Sequence, residues 1–251
     1  DHILDAFKDG LRPNQALARE VAREQLPPGQ PGRLHGEKIT GQVVELWRRA
    51  HHDWSGEVEE HEVELDLGDA VLLDVVRTKG RQIVEGTASD GIQTAPGTWL
   101  GQLALAAAGK PTPAIVHHLE RDYGDRYPAS FTLRPPAPNE AWDSLRHIAA
   151  ALRQGRSRLI PLPLGLGLEF ASQIRGGRPL DEASWQHPAA DWRNTLWRRM
   201  GPAWPLFYGG VPQELFSDPA TNRDPEPPAA HPSAFAAWAS AIYLPMIQAA
   251  S

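Results

Sequence analysis

Apolar positions along the chain begin at helical spacing, turn to alternation, and return to helical spacing. Residues 14–25, NQALAREVAREQ, follow Pro13 and predict an amphipathic helix that stops before the breaker stretch LPPGQPG, itself predicted as a loop over 26–32. Ile39, Val43, Leu46 and Ala50 share one helical face and predict a second helix over 38–50. Strand character begins near Glu57. Val63, Leu65 and Leu67, then Val71, Leu73 and Val75, alternate on either side of the turn residues Gly68-Asp69. A third strand over 81–88, within GRQIVEGTAS, follows the basic turn Thr78-Lys79-Gly80. The three runs together predict an antiparallel meander.

Thr94-Ala95-Pro96-Gly97 reads as a turn, and TWLGQLALAAAG behind it predicts a helix over 98–108 that closes on a glycine. Strands are predicted over 113–119 and 127–134. NEAWDSLRHIAAALRQG then opens a helix with Asn139 as cap and Glu140 in the first turn. The stretches 176–180 and 221–232 are rich in breakers and read as loops between C-terminal helices. No internal repeat occurs, and 24 prolines point to an irregular periphery. The organisation expected is a helical lead-in over 1–56, an α/β core over 57–175 and a helical region over 176–251, folded as one structural domain. Because residue 1 is Asp and not Met, the chain is expected to be part of a longer protein.

Composition narrows the function classes. With 251 residues, 41% of them hydrophobic, the chain can bury a large core. It has no uncharged apolar run of about 18 residues and no signal-peptide pattern at Asp1-His2-Ile3, so no membrane contact is expected and the compartment expected is the cytoplasm. The absence of cysteine removes disulfides, thiol nucleophiles and Cys-ligated zinc. A formal net charge of −6 argues against a dominant nucleic-acid surface but leaves room for local basic patches.

The order strand, strand, strand, helix, strand bears on chemistry. In a restriction-endonuclease-like fold an acid on the second strand and an acid-x-Lys on the third gather around magnesium, which activates water for phosphodiester cleavage. Asp74 and Glu85 occupy those two acidic places, but Thr87 stands where the lysine belongs and supplies no cation. Gln102 opens a segment like the Gln-x-x-x-Tyr of RecB-type nucleases, with Ala106 at the aromatic place. Ordinary surface carboxylates are the plainer reading of Asp74 and Glu85.

Other groups have bland readings beside sharper ones. His51-His52-Asp53 and His117-His118 are metal-ligand types, yet adjacent residues of a strand point to opposite faces. Gly165-Leu166-Gly167 lacks the third glycine of a dinucleotide fingerprint. Trp185, Trp192, Arg193, Leu196 and Trp197 sit at helical spacing, which suits packing better than base stacking. Arg77, Lys79 and Arg81 cluster at a predicted hairpin tip from which DNA phosphates are within reach, although an ordinary solvated turn is the favoured reading.

Longer segments carry a family resemblance. LRPNQALAREVAREQLPPGQPGRLHGEKITGQVVELWRRA resembles the lead-in to the C-terminal domain of RecC, the gamma subunit of exodeoxyribonuclease V. VLLDVVRTKGRQIVEGTAS, TWLGQLALAAAG, ALRQGRSRLIPLPLGLGLEFA and FAAWASAIYLPMIQAA resemble, in the same order, that family's strand pair, core helix, Pro-Leu region and terminal helix. The resemblance implies a restriction-endonuclease-like mixed sheet flanked by helices, without a catalytic site, so that Asp74, Glu85, Thr87 and Gln102 are vestigial positions. It implies a DNA-guiding, scaffolding role in a RecBCD-like helicase-nuclease of double-strand break repair and recombination. Implied partners are RecB-like and RecD-like subunits and double- and single-stranded DNA. Implied cofactors are none in this domain, with Mg and ATP used by the partner subunits. Two alternatives stay open: an active magnesium-dependent nuclease using Asp74 and Glu85 with Arg81 replacing the lysine, and a protein-interaction domain that never touches DNA.

Overall fold

A computed structural model describes residues 29–176 apart from 55, 69, 89, 90, 123, 124, 159, 161 and 163, then 219–221, 224–227 and 233–251, together with residue 15. Gln15 is helical, but the rest of the predicted helix over 14–25 and the Trp185–Trp197 segment lie outside the described residues. The architecture is mixed α/β, with two small sheets flanked by helices. No described helix is long and apolar enough to cross a membrane.

Helix α1 spans Gly29–Trp54. It therefore begins inside the breaker stretch, which corrects the loop predicted over 26–32: Pro31 sits in the first turn, where a helix has no backbone bond to lose. Strands β1 (Val58–Asp66) and β2 (Val71–Lys79) form an antiparallel ribbon in which Val63 faces Asp74 and Leu65 faces Leu72. Its turn is closed by Leu67 N–H donating to Ala70 O at 2.8 Å, with Gly68 at φ +97° where a side chain is disfavoured.

The predicted three-stranded meander is not what forms. Strand β3 (Ile83–Gly86) leaves the β2 hairpin after a single Lys79–Gln82 bridge and runs parallel to β4 (Ala114–Asp122), which pairs antiparallel with β5 (Asp125–Leu133). Both ends of β3 are tied to β4 and its lead-in, through Ile83 N to Pro113 O and Thr87 N to His117 O, each at 2.9 Å. The β3–β4 ladder thus takes the backbone groups that a meander would have given to β2.

Helix α2 (Gly91–Ala107) makes that crossover. It starts earlier than the predicted 98–108 and carries Pro96 inside it, so Thr94-Ala95-Pro96-Gly97 is helix rather than turn. Proline there forfeits one backbone bond, while Thr94 Oγ1 donates to Gly91 O at 2.9 Å in the same turns. The C-terminus matches the closing glycine: Gly109 sits at φ +78°, and Lys110 N–H donates to Leu105 O at 2.8 Å, a Schellman stop. Trp99, Leu103 and Leu105 are buried against the sheets and the following helices, each contributing roughly 2 kcal/mol.

Strand β4 is covered on both faces. Its Ala114 and His118 lie on the α2 side, with Gly91 directly against the His118 ring, while Leu119 joins Val43 and Leu46 of α1 on the other. Strand β2 is different. Its buried residues are Val76 and Thr78, whereas Val71, Leu73 and Val75, the alternation that marked it as a strand, face outward.

Helix α3 (Pro138–Gly155) is capped by Ala137, not by Asn139: the Ala137 N–H donates to Glu140 Oε2 at 3.0 Å and Pro138 takes the first helical position. Helices α4 (Leu164–Arg175), α5 (Ala234–Ile242) and α6 (Leu244–Ala249) complete the core, with Phe170 of α4 meeting Phe235 of α5 edge to face at 5.3 Å. Pro245 splits the terminal helix after Tyr243 because it removes a donor and restricts the residue before it. The last residues return to β5, where Thr132 and Ser251 exchange backbone bonds. Asp224, its side chain fully buried, gathers Arg158, the Trp238 indole N–H at 2.8 Å, and the amide and hydroxyl of Thr221, also at 2.8 Å. Burial opposes ionisation of this carboxyl, but those donors outweigh it and hold its pKa below the ordinary carboxylate value.

Gly167, part of the suspected Gly-x-Gly, serves packing: a Cβ there would lie 2.5 Å from Cε2 of the buried Tyr243 ring. Gly167→Ala is expected to destabilise the chain by about 1–3 kcal/mol through overpacking. Gly101→Ala, whose Cβ would meet Val76 at an ordinary 3.4 Å, is expected to be neutral or to stabilise by up to ~1 kcal/mol. Urea unfolding of both variants checks the contrast, and equal losses would contradict it.

Candidate functional site

The β2–β3 hairpin is closed by Lys79 N to Gln82 O at 2.7 Å and Gln82 N to Lys79 O at 3.1 Å. Gly80 and Arg81 both take positive φ, +55° and +71°, which identifies a type I′ turn. Glycine suits the first place. Arginine carries a steric cost at the second that Asn or Gly would avoid.

Beyond the bridge the two strands part, and a cavity of about 540 Å³ lies between them. Asp74 of β2 and Glu85 of β3 both line it, with Trp47 of α1 on one side and Gly97 and Thr98 of α2 on the other. Asp74 and Glu85 thus line one cavity, but their strands belong to different sheets and are not neighbours in one mixed sheet as the sequence suggested.

The carboxylates are turned to local backbone. Asp74 Oδ1 accepts from Val75 N at 2.8 Å, and Glu85 Oε1 accepts from Gly86 N at 2.9 Å. Each side chain thus accepts, through one of its oxygens, from the amide that follows it. No group of three or more His, Cys, Asp or Glu suited to a metal occurs among the described residues. Thr98 Oγ1 is buried at the cavity wall without a hydrogen-bond partner.

The other expected site positions fall elsewhere. Thr87 is buried at 4% exposure, with its amide in the β3–β4 ladder, and is not among the cavity's lining residues. Gln102 is fully buried one turn past Thr98, where its Nε2 donates to Thr112 O at 2.8 Å and Leu133 O at 3.0 Å. It ties α2 to the approach of β4 and the end of β5. Of the turn cations, Arg77 bonds Glu60 at 2.9 Å across the ribbon, Lys79 is half-buried at the cavity, and Arg81 is exposed at the tip, outside the cavity lining.

A contact that sequence reasoning missed joins two groups noted separately there. His117 Nε2 lies 2.9 Å from Asp53 Oδ2, bringing α1 to the central strand, and Gln82 Nε2 bonds the other oxygen of Asp53 at 3.4 Å. His118, facing the opposite way, meets Phe131 edge to face at 5.5 Å. Adjacent histidines on a strand covered on both faces thus serve two different cores. Sixty-four positions separate Asp53 from His117, and no local pattern announces the pairing.

Comparisons with known proteins add to this geometry. A family model, the RecC C-terminal domain, matches residues 1–175. Two curated proteins, each named RecBCD enzyme subunit RecC, from Mycobacterium tuberculosis strains CDC 1551 / Oshkosh and ATCC 25618 / H37Rv, are 28% identical over 99% of this chain. The chain spans 23% of the length of these relatives.

Burial is the largest influence on His117 and disfavours its charged form; Asp53 opposes this by hydrogen bond and charge, His118 adds to it, and the net pKa falls below the ordinary 6.5. The unfolded chain therefore takes up a proton first as the pH falls. The stabilisation is complete above about pH 6.5 and is lost as pH drops from there toward the folded-state value. Thermal unfolding between about pH 7 and pH 5 is expected to show a steeper decline for the native chain than for His117→Gln, and parallel declines would refute this assignment.

Proposed function

The chain belongs to the RecC C-terminal domain family, and from that premise we propose that it is a non-catalytic domain of a RecBCD-like helicase-nuclease that guides DNA and holds partner subunits during double-strand break repair and recombination. The observation that carries the reading is the seam between β2 and β3. It has the acids of a nuclease, Asp74 and Glu85, in one cavity, but each is engaged with its own following amide and no lysine accompanies them in the acid-x-Lys place. Magnesium prefers near-octahedral oxygen coordination, and two diverted carboxylates are a poor match for it. Phosphoryl chemistry also needs a cation to offset charge developing on the reacting oxygens. Thr87 cannot supply one and Arg81 lies at the hairpin tip outside the cavity lining; Arg77 and Lys79 do line the cavity, but neither stands in the acid-x-Lys place and Arg77 is paired with Glu60.

The topology supports descent from a nuclease-like fold. A hairpin leads into β3, the buried helix α2 follows, and β4 returns parallel to β3 with helices on both faces. On this reading the fold is a restriction-endonuclease-like scaffold whose site has lapsed. RecB-like and RecD-like subunits in the cytoplasm use the Mg and ATP, and this domain contacts double- and single-stranded DNA through surfaces rather than chemistry.

Two measurements test the proposal. Incubated with linear DNA and Mg²⁺ or Mn²⁺, the chain is expected to cleave no faster than an Asp74→Ala/Glu85→Ala control. Metal-dependent cleavage abolished by those substitutions would establish the enzyme instead. Binding to forked DNA is expected to be weak and to fall steeply with salt, with a shallower salt slope in the Arg77→Ala/Lys79→Ala/Arg81→Ala variant, and an unchanged slope would remove the turn from the DNA path.

A further inference from the structure

The ribbon of β1 and β2 has one face on the core and one face in solvent. On the solvent face β2 presents Val71, Leu73 and Val75, which are 57%, 71% and 51% exposed. Directly across from them β1 presents Asp66, Glu64 and Glu62. Three uncovered apolar side chains in one row are not required by strand formation, since β2 already has Val76 and Thr78 buried on its other face. Surface apolar residues scattered singly need no explanation, but a contiguous row marks a contact surface.

The carboxylates decide what fits. Glu60, next along β1, bonds Arg77, whereas no described ion pair engages Glu62 or Glu64. A row of carboxylates beside the apolar row repels phosphate and disfavours nucleic acid. A second copy of the chain would bring another carboxylate row, or, reversed end to end, a turn whose outer-face cation Arg77 is already bonded to Glu60. What complements the face is a protein segment with an apolar stripe flanked by Lys or Arg, the two rows about 5 Å apart as neighbouring strands are.

We propose that the outer face of the β1–β2 ribbon is a docking site for a basic, apolar-striped segment of a partner protein subunit. The inference rests on the assembly role proposed above. It adds the surface used and the chemistry of what covers it.

The test exploits the absence of cysteine from this chain. In the full-length protein carrying Leu73→Cys, alkylation of the introduced thiol by iodoacetamide is followed by peptide mass in the protein alone, with linear duplex DNA, and in the complex with the other subunits of its host's RecBCD-like enzyme. Alkylation is expected to slow by about tenfold or more in the complex and to be unchanged by DNA. The Glu62→Lys/Glu64→Lys variant, with its fold checked by thermal unfolding, is expected to weaken subunit association by roughly tenfold or more. A complex that forms while the introduced thiol reacts at its original rate overturns the docking site and leaves the assembly role standing. Protection by DNA alone, or by raising the concentration of the protein alone, assigns the face to nucleic acid or to a second copy and overturns it equally. Failure of any complex to form rejects the assembly role, and this inference with it.

Discussion

Burial of α2 from Thr98 to Ala106 is the constraint on which the rest depends, the earlier turns leaving Gln93 and Gly97 exposed. A stretch packed this closely has to admit its neighbours. Ala95, Ala104 and Ala106, each fully buried, meet that demand with small side chains. Gln102 donates to two backbone carbonyls outside the helix, while its Oε1, Thr98 Oγ1 and Trp99 Nε1 are buried without a hydrogen-bond partner. A side chain suspected of chemistry in the sequence therefore works as a strut. Its position fixes where the approach to β4 and the end of β5 lie relative to α2.

That placement also explains the seam. Val76 and Ile83 both lie within 4 Å of where a side chain on Gly101 would begin, so α2 lies beneath the place where β2 and β3 separate. Strand β2 stays with β1, and β3 goes to β4, because α2 connects β3 to a strand whose backbone is open to it. The cavity holding Asp74 and Glu85 is the space left by the divergence. Both acids line it, each accepting from a backbone amide on its own strand.

What the sequence revealed was what is encoded locally. The Schellman glycine Gly109, the turn glycine Gly68 and the helix with Glu140 in its first turn each depend on a few neighbouring residues and were legible, although the cap was placed at Asn139 and falls at Ala137. The outward face of β2 was not, because VLLDVV is apolar at both parities and alternation alone cannot choose between Leu72 with Val76 and Leu73 with Val75. The parting of β2 from β3 was hidden because a hairpin signal says how a turn closes and nothing about how far the ladder runs. Asp53 with His117, and Asp224 with Arg158 and Trp238, are long-range polar pairings. No spacing rule links their positions. Asp74 and Glu85 were found because a pair of acids in a strand–turn–strand setting is a local pattern, even where the chemistry it suggests is incomplete.

Electrostatic segregation connects these features to function. The chain carries 31 acidic and 25 basic residues, a balance too even to make it uniformly repellent to DNA. On the ribbon Glu62, Glu64 and Asp66 stand toward one end of the outer face, while Arg77, Lys79 and Arg81 lie toward the β2–β3 turn at the other, where Glu59 and Glu60 accompany them and Glu60 pairs with Arg77. With an ionic screening length of roughly 8 Å at physiological salt, charges at the two ends of a nine-residue strand act on different neighbours. One ribbon can therefore offer phosphate a cationic tip and offer a basic protein segment an acidic, apolar flank. The proposed role, a non-catalytic domain standing between DNA and other subunits, calls for that separation of surfaces, and in the β1–β2 register Glu62, Glu64 and Asp66 each lie beside an outward apolar side chain.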